Sequence, residues 1–177
     1  MKTKLILNTK RLILRPFDIK DYSDFQEYIT DNKVNKHLGI STPINPEVIK
    51  LLFNSNINNP LCWAMELKSS GKVIGDFHLD NIVENYLAHI GFAINSLYHK
   101  QGYGSEAAAE IVKFGITKLN LGKIRAISLI QNIASIKLLE KLDFEKEALI
   151  YDYDFGGTLG DVFYFSINHD KYNINNL

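Results

Sequence analysis

Cysteine is almost absent: Cys62 is the single one in 177 residues. That excludes an internal disulfide and any multi-cysteine metal site. Its setting, "LCWAMEL", reads as that of a buried structural thiol. An excess of charge is absent too. Lys+Arg and Asp+Glu both number 20, a formal net charge of zero. The chain as a whole therefore has no general attraction for nucleic acid or an anionic membrane. No apolar run reaches the length of a bilayer span. The opening "MKTKLILNTKRL" carries no export signal. There is no internal repeat, no low-complexity linker and no cluster with convincing metal-ligand spacing. These absences predict a soluble, cytoplasmic protein with no metal, no nucleic-acid partner and no membrane partner.

What is present is an ordinary globular balance, 46% apolar and 23% charged residues, over a length that suits one domain across 1–177. "RLILRPF" (Arg11–Phe17) reads as a strand ending at Pro16. "DIKDYSDFQEYITD" (Asp18–Asp31) begins at an N-cap aspartate and spaces Ile19, Tyr22, Phe25 and Ile29 as a helix does. "NPEVIKLLFNS" (Asn45–Ser55) is a second helix with Pro46 at its first position. Strands follow over Cys62–Lys68, Val73–Ile82 and Leu87–Ile94, joined by the turns "SSGK" and "VENY". Such short connections imply an antiparallel meander. A helix then carries Ala108, Ile111, Val112, Gly115, Ile116 and Leu119 on one stripe, with Gly122 as its stop. A strand over Lys123–Ile130 and a helix opening at Asn132 come next. The last two strands, "EALIYDYDF" and "GDVFYFSI", are joined through "GGTLG". The order predicts an α+β mixed sheet.

The loop "YHKQGYGSEA" carries the chemical signal. Gly102 to Ala107 fits G-x-G-x-x-A, yet "NSLYHKQ" separates it from its strand, and the following strand "SLIQN" ends without the ribose-binding acid. A Walker loop fails for want of a Lys-Ser/Thr pair. What remains is a pyrophosphate site at a helix N-terminus, with N–H groups from Gln101 to Ser105 turned toward one anion, or simply a tight turn.

These segments, taken in order, resemble the GNAT superfamily of N-acetyltransferases, in the branch of the RimJ/RimL-like ribosomal-protein N-terminal acetyltransferases. "TKRLILRPFDIKD" resembles its opening strand and helix, and "KVIGDFHLDNI" and "LAHIGFAI" its central strands. "YHKQGYGSEA" resembles its Q/R-x-x-G-x-G/A loop. "NIASIKLLEKLDF" resembles its N-x-x-S-x-x-L-L-E-K-x-G-F helix, and "GDVFYFSI" its last strand. His99, Leu139 and Asp143 depart from the pattern. Leu139 stands where many members carry an acidic tyrosine, so that tyrosine cannot be the acid here.

The resemblance implies a mostly antiparallel, splayed central sheet with helices on both faces. It implies acetyl transfer from acetyl-CoA to an amine in a ternary complex. The pyrophosphate would sit on Gln101, Gly102, Tyr103, Gly104 and Ser105. The pantetheine arm would pair with Phe92, Ala93 and Ile94, whose N–H groups would also meet the oxyanion. Asn132 reads as a helix N-cap and, by resemblance, a pantetheine contact. Ser135 would protonate the leaving thiol, or else bond back to a carbonyl of its own helix. For the base, alternation puts Asp76, His78 and Asp80 on one strand face, with His89 on the next strand. Asp76 or His89 is chosen, against the plainer reading of a solvated face. The expected acceptor is an α-amine of a peptide or amino acid, because an amine of pKa about 7.7–8.0 loses its proton more readily than a lysine at about 10.4. The alternative is a non-catalytic acyl-CoA sensor on the same fold.

Overall fold

The computed structural model describes residues 5–40, 43–83, 86–155 and 158–172. The turn expected at "VENY" and the loop through Gly156 and Gly157 fall partly outside them. In chain order the elements are β1 (Leu7–Asn8), β2 (Leu12–Arg15), a 3-10 turn over Ile19–Asp21, α1 (Tyr22–Ile29), α2 (Asn32–Asn35), α3 (Pro46–Asn58), β3 (Cys62–Leu67), β4 (Val73–Val83) and β5 (Leu87–Ile94). A short 3-10 turn (Ser96–Tyr98) leads to α4 (Tyr103–Thr117), β6 (Lys123–Leu129), α5 (Ile133–Lys141), β7 (Glu145–Phe155) and β8 (Thr158–Asn168). The strands form one eight-stranded sheet in the order β1-β2-β3-β4-β5-β6-β8-β7. Every neighbouring pair is antiparallel except β5–β6.

Helices cover both faces, as expected. On one face Phe25, Tyr28 and Ile29 of α1 and Ile49 and Phe53 of α3 pack with Cys62, Ala64, Val73 and Ala93. On the other, Ala107, Ala108, Ile111 and Val112 of α4 and Ile136 and Leu139 of α5 pack with Trp63, Phe77, Ile90 and Phe165.

Local signals explain most of the boundaries. Asp18 caps the chain's first helical turn in a capping box with Asp21. Asn45 caps α3 through the Glu47 N–H, with Pro46 at the first turn. The stop of α4 differs from expectation. The helix closes at Thr117, and Asn120 takes the left-handed conformation (φ 54). Asn can play this role as glycine does, and Gly122 merely leads into β6. Strand β1 and helix α2 lack sequence signals because two and four residues are too short for a readable period.

Ion pairs fasten the first half of the sheet. Arg15 of β2 binds buried Asp21 at 2.7 Å and Glu66 of β3 at 2.5 Å. Lys72, entering β4, reaches Asp24 and Glu27 of α1, both at 2.9 Å. Glu27 also accepts from Asn95 Nδ2 at 2.7 Å, just past β5.

Candidate active site

Strand β5 has one closed edge and one open edge. It is paired with β4 from Leu87 to Ile94. With β6 it is paired at Leu87–Lys123, Ala88–Ile124 and His89–Arg125, and the two strands part beyond that point. The Asn95 N–H donates to the Ile74 carbonyl. Counting back from that bond by the antiparallel alternation, Ala93 and Gly91 spend their backbone groups on β4, while those of Phe92 and Ile94 face the gap. Of the three residues expected at the pantetheine arm, Ala93 therefore has its main chain turned away. The Ile94 carbonyl is already taken: His99 Nε2–H donates to it at 2.8 Å. The Phe92 N–H and carbonyl and the Ile94 N–H remain for a ligand.

The loop at the mouth of this gap is held from outside. Gly102, at φ 83, is the N-cap of α4 in a left-handed conformation that glycine adopts without penalty. Arg11 braces it. Its guanidinium lies 4.1 Å from the centre of the Tyr103 ring, donates to the Gln101 carbonyl at 2.9 Å and pairs with Glu106 at 2.6 Å. Thr9 and the Arg11 N–H also donate to Glu106. Burial is the largest single influence on Glu106 and favours its neutral form, but these donors together hold its carboxyl below the ordinary range. The N–H groups of Gln101, Gly102, Tyr103, Gly104 and Ser105 have no partner among the described residues, as at any helix start, and such a start suits an anion. Gly104 serves a second purpose that the sequence hides. A Cβ there would lie 2.7 Å from Ile94 Cδ1 and 2.8 Å from Leu138 Cδ1. Its hydrogen lets α4 sit between β5 and α5, so it faces packing as well as loop.

On α5, Asn132 caps the helix, its Oδ1 accepting from the Ser135 N–H at 3.2 Å. Ser135 is 7% exposed, and its hydroxyl has no hydrogen-bond partner among the described residues, including the carbonyls of its own helix. Leu139 is fully packed in the core.

Across the sheet lie the acid–base candidates. Asp76 is 5% exposed, and its Oδ1 accepts from the buried Tyr28 hydroxyl at 2.7 Å. It is too deep to touch an acceptor. His78, which alternation put beside it, is the group that reaches the surface, with 32% of its side chain exposed. Its Nδ1 is 3.7 Å from Asp76 Oδ2 and its Nε2 is 3.6 Å from Asp80 Oδ2. The ring lies so close over Gly91 that any Cβ there would collide with it. The ring of His78, from β4, thus lies over β5 just past the point where β5 leaves β6. Burial alone would lower its pKa, but Asp76 and then Asp80 outweigh that and raise it above 6.5. Burial, then Asp76, also keeps the Tyr28 phenol well above its usual value, so it remains a donor. His89 is half-buried, opposite Asp80 and in register with Arg125. It shares the face with His78, but no hydrogen bond or ion pair orients it among the described residues. His78 was legible as a member of this face, but nothing in the sequence told that α1 would bury Asp76 and leave His78 in reach.

An open strand edge offers partners to amides, and a bare helix N-terminus offers them to phosphates. Together they define a protein that holds a phosphorylated, amide-containing cosubstrate across a sheet. Residues 11–145 match the family model described as the acetyltransferase (GNAT) domain. The chain belongs to that family, and it is an acetyl-CoA-dependent acyltransferase. It is 32% identical over 174 residues to the uncharacterised N-acetyltransferase p20 of Bacillus licheniformis, covering 94% of this chain and 97% of that one. The crystal structure of a GNAT-family acetyltransferase from Bacillus anthracis superposes with a TM-score of 0.85 at 24% identity, over 94% of this chain and all (100%) of that one. The ribosomal-protein-S5-alanine acetyltransferase from Vibrio fischeri shares the fold with a TM-score of 0.73 at 19% identity, over 96% and 99% of the two chains. Nothing in these likenesses supports the non-catalytic sensor.

Proposed function

We propose that this acetyltransferase acylates a primary α-amine of a peptide or amino acid by direct attack in a ternary complex. The observation that carries this reading is the placement of His78, backed by Asp76, on the open stretch of β5. Acetyl-CoA supplies the acetyl group as a thioester. The α4 N-terminus, from Gln101 to Ser105, fits its pyrophosphate, and the free groups of Phe92 and Ile94 fit its amides. The amine nitrogen bonds to the acetyl carbon as the C–S bond breaks. His78 takes the proton that the amine gives up, with Asp76 nearby to balance its positive charge. Of the free groups on β5, the Phe92 N–H would stabilise charge on the acetyl oxygen, leaving the Phe92 carbonyl and the Ile94 N–H for the amides. Ser135, whose hydroxyl has no partner among the described residues, gives its proton to the departing thiolate and takes another from solvent, and Asn132 holds the start of its helix.

An imidazole with a pKa raised above 6.5 is better matched to an α-amine at about 7.7–8.0 than to a lysine at about 10.4. The test compares three acceptors: a peptide with a free N-terminus, the same peptide blocked there but carrying lysine, and spermidine. The free N-terminus should turn over fastest. Faster turnover of either of the others defeats the α-amine reading, and release of CoA with none of them defeats the primary-amine reading more broadly.

A further inference from the structure

The cross-strand partner of His78 is Cys62. The Cys62 thiol, a carboxylate oxygen of Asp76 and an imidazole nitrogen of His78 all lie within 4.8 Å of one another, and among the described residues no other group of three such ligands comes together. Sequence spacing gave no hint of this, because the three meet only through the β3–β4 register. We propose that Cys62, Asp76 and His78 form a three-ligand site for Zn2+ whose occupancy switches off acetyl transfer. The regulatory part rests on the reading of His78 as base.

The donor set suits zinc. One thiolate, one imidazole and one carboxylate are all ligands that zinc accepts, in a tetrahedron whose fourth position stays open. Zn–N and Zn–O bonds of about 2.0–2.1 Å and Zn–S of about 2.3 Å place tetrahedral ligands roughly 3.3–3.6 Å apart. The His78 Nδ1 to Asp76 Oδ2 separation of 3.7 Å is too long for a good hydrogen bond and within a few tenths of an ångström of that spacing. Closing the triangle on an ion requires the Cys62 thiol, within 4.8 Å of both other ligands, to move in to the bonding distance.

The surroundings have the form of a supporting shell. Tyr28 binds Asp76 through Oδ1, which leaves Oδ2 as the oxygen turned to His78. Asp80 faces Nε2 at 3.6 Å and so favours Nδ1 as the ligating nitrogen. A carboxylate behind a ligating histidine and a hydrogen bond behind a ligating carboxylate are the usual means of orienting zinc ligands. Entry is from the exposed side of His78. Zinc binds the thiolate, so occupation of the site releases the Cys62 thiol proton to solvent. Nδ1 and Asp76 Oδ2 are then committed to the ion, and the ring no longer accepts a proton from the amine.

The experiment uses the full chain with Zn2+ alone, in competition with a chromophoric chelator, and with Co2+ as a spectroscopic substitute. One ion per chain is expected, with a thiolate-to-Co2+ charge-transfer band. Cys62→Ser should abolish the band and weaken Zn2+ by more than the roughly 10–100-fold that loss of a supporting group costs. Tyr28→Phe should fall within that range. Because Cys62 is buried, His78→Gln, at a half-exposed position, serves as the second ligand variant, and circular dichroism verifies that each is folded. In the acetyl-transfer assay, Zn2+ should inhibit the parent, a chelator should restore it, and Cys62→Ser should require at least about tenfold more Zn2+. A folded parent that binds no stoichiometric Zn2+, or binding insensitive to both Cys62→Ser and His78→Gln, overturns the site. Binding is measured without acetyl-CoA or acceptor, so a protein that binds Zn2+ in this way without being inhibited refutes the switch and the base reading while leaving the site.

Discussion

The two edges of β5 share one backbone and differ in everything else. Toward β4 the strand is paired along its whole length, and the elements beyond are fastened by Arg15 to Asp21 and Glu66 and by Lys72 to Asp24 and Glu27. Toward β6 it is paired only as far as His89. Past that point lie several groups without partners among the described residues: the gap-facing N–H groups of Phe92 and Ile94, the first turn of α4 and the Ser135 hydroxyl. A polar group left without a partner costs stability when it is buried, and a ligand lying in the gap would supply partners to these. The closed edge holds the sheet together, and the open edge is where we propose that the cosubstrate completes the hydrogen bonding.

That division can be broken from either side. The largest effect is expected on the open side. His78→Gln should lower kcat by roughly 10²–10⁴-fold, the usual worth of a general base, while urea unfolding moves little. A parent-like kcat would return the choice to His89. On the closed side, Asp21→Ala should cost about 3 kcal/mol, because it leaves Arg15 short of its more buried partner and removes half of the Asp18 capping box. Urea unfolding reads this, and kcat/KM per folded molecule should stay near the parent's. A large kcat loss with little destabilisation would erase the distinction between the edges.

A smaller effect is expected at the loop. Gly102→Ala places an L-residue at φ 83, a strain of about 1–2 kcal/mol, and should weaken acetyl-CoA protection against heating. Its Cβ would come 3.3 Å from Arg11 Nη2, the end of a flexible side chain, so strain and not collision decides the outcome. Unaltered protection would mean that the loop conformation is not needed for binding. The smallest effect is on pH. Although burial disfavours charge on His78, Asp76 and Asp80 raise its folded pKa above 6.5. Its contribution to stability is then full below about pH 6.5 and is lost as pH rises through the folded value. The stability advantage of the parent over His78→Gln should shrink across that range, while parent kcat/KM rises as the imidazole is freed. An advantage that grows with pH would contradict the sign.

Much of this was readable residue by residue. The Asp18, Asn45 and Asn132 caps, the apolar stripe of α4 and the alternation of β4 and β5 are local patterns, and local patterns predict local structure. The anion-binding loop belongs with them, since a helix start bares its N–H groups whatever surrounds it. The proposed base did not belong with them. Asp76, His78 and Asp80 are equivalent by alternation, and the choice among them depends on Tyr28 of α1, 48 positions from Asp76 in the chain. The second task of Gly104 was hidden for the same reason, because Ile94 and Leu138 come from different elements.

By itself, then, the sequence determined the element order, the sheet class, the helix caps and the bare helix start proposed for the phosphate, because each is set by residues within a turn or two of one another. Only the tertiary structure decided which backbone groups of β5 stay unpaired, which of the β4 side chains is buried and which is reachable, and that Cys62 stands across from His78. Those outcomes are set by the register of distant strands and by the helix laid over them, and no stretch of chain carries them alone.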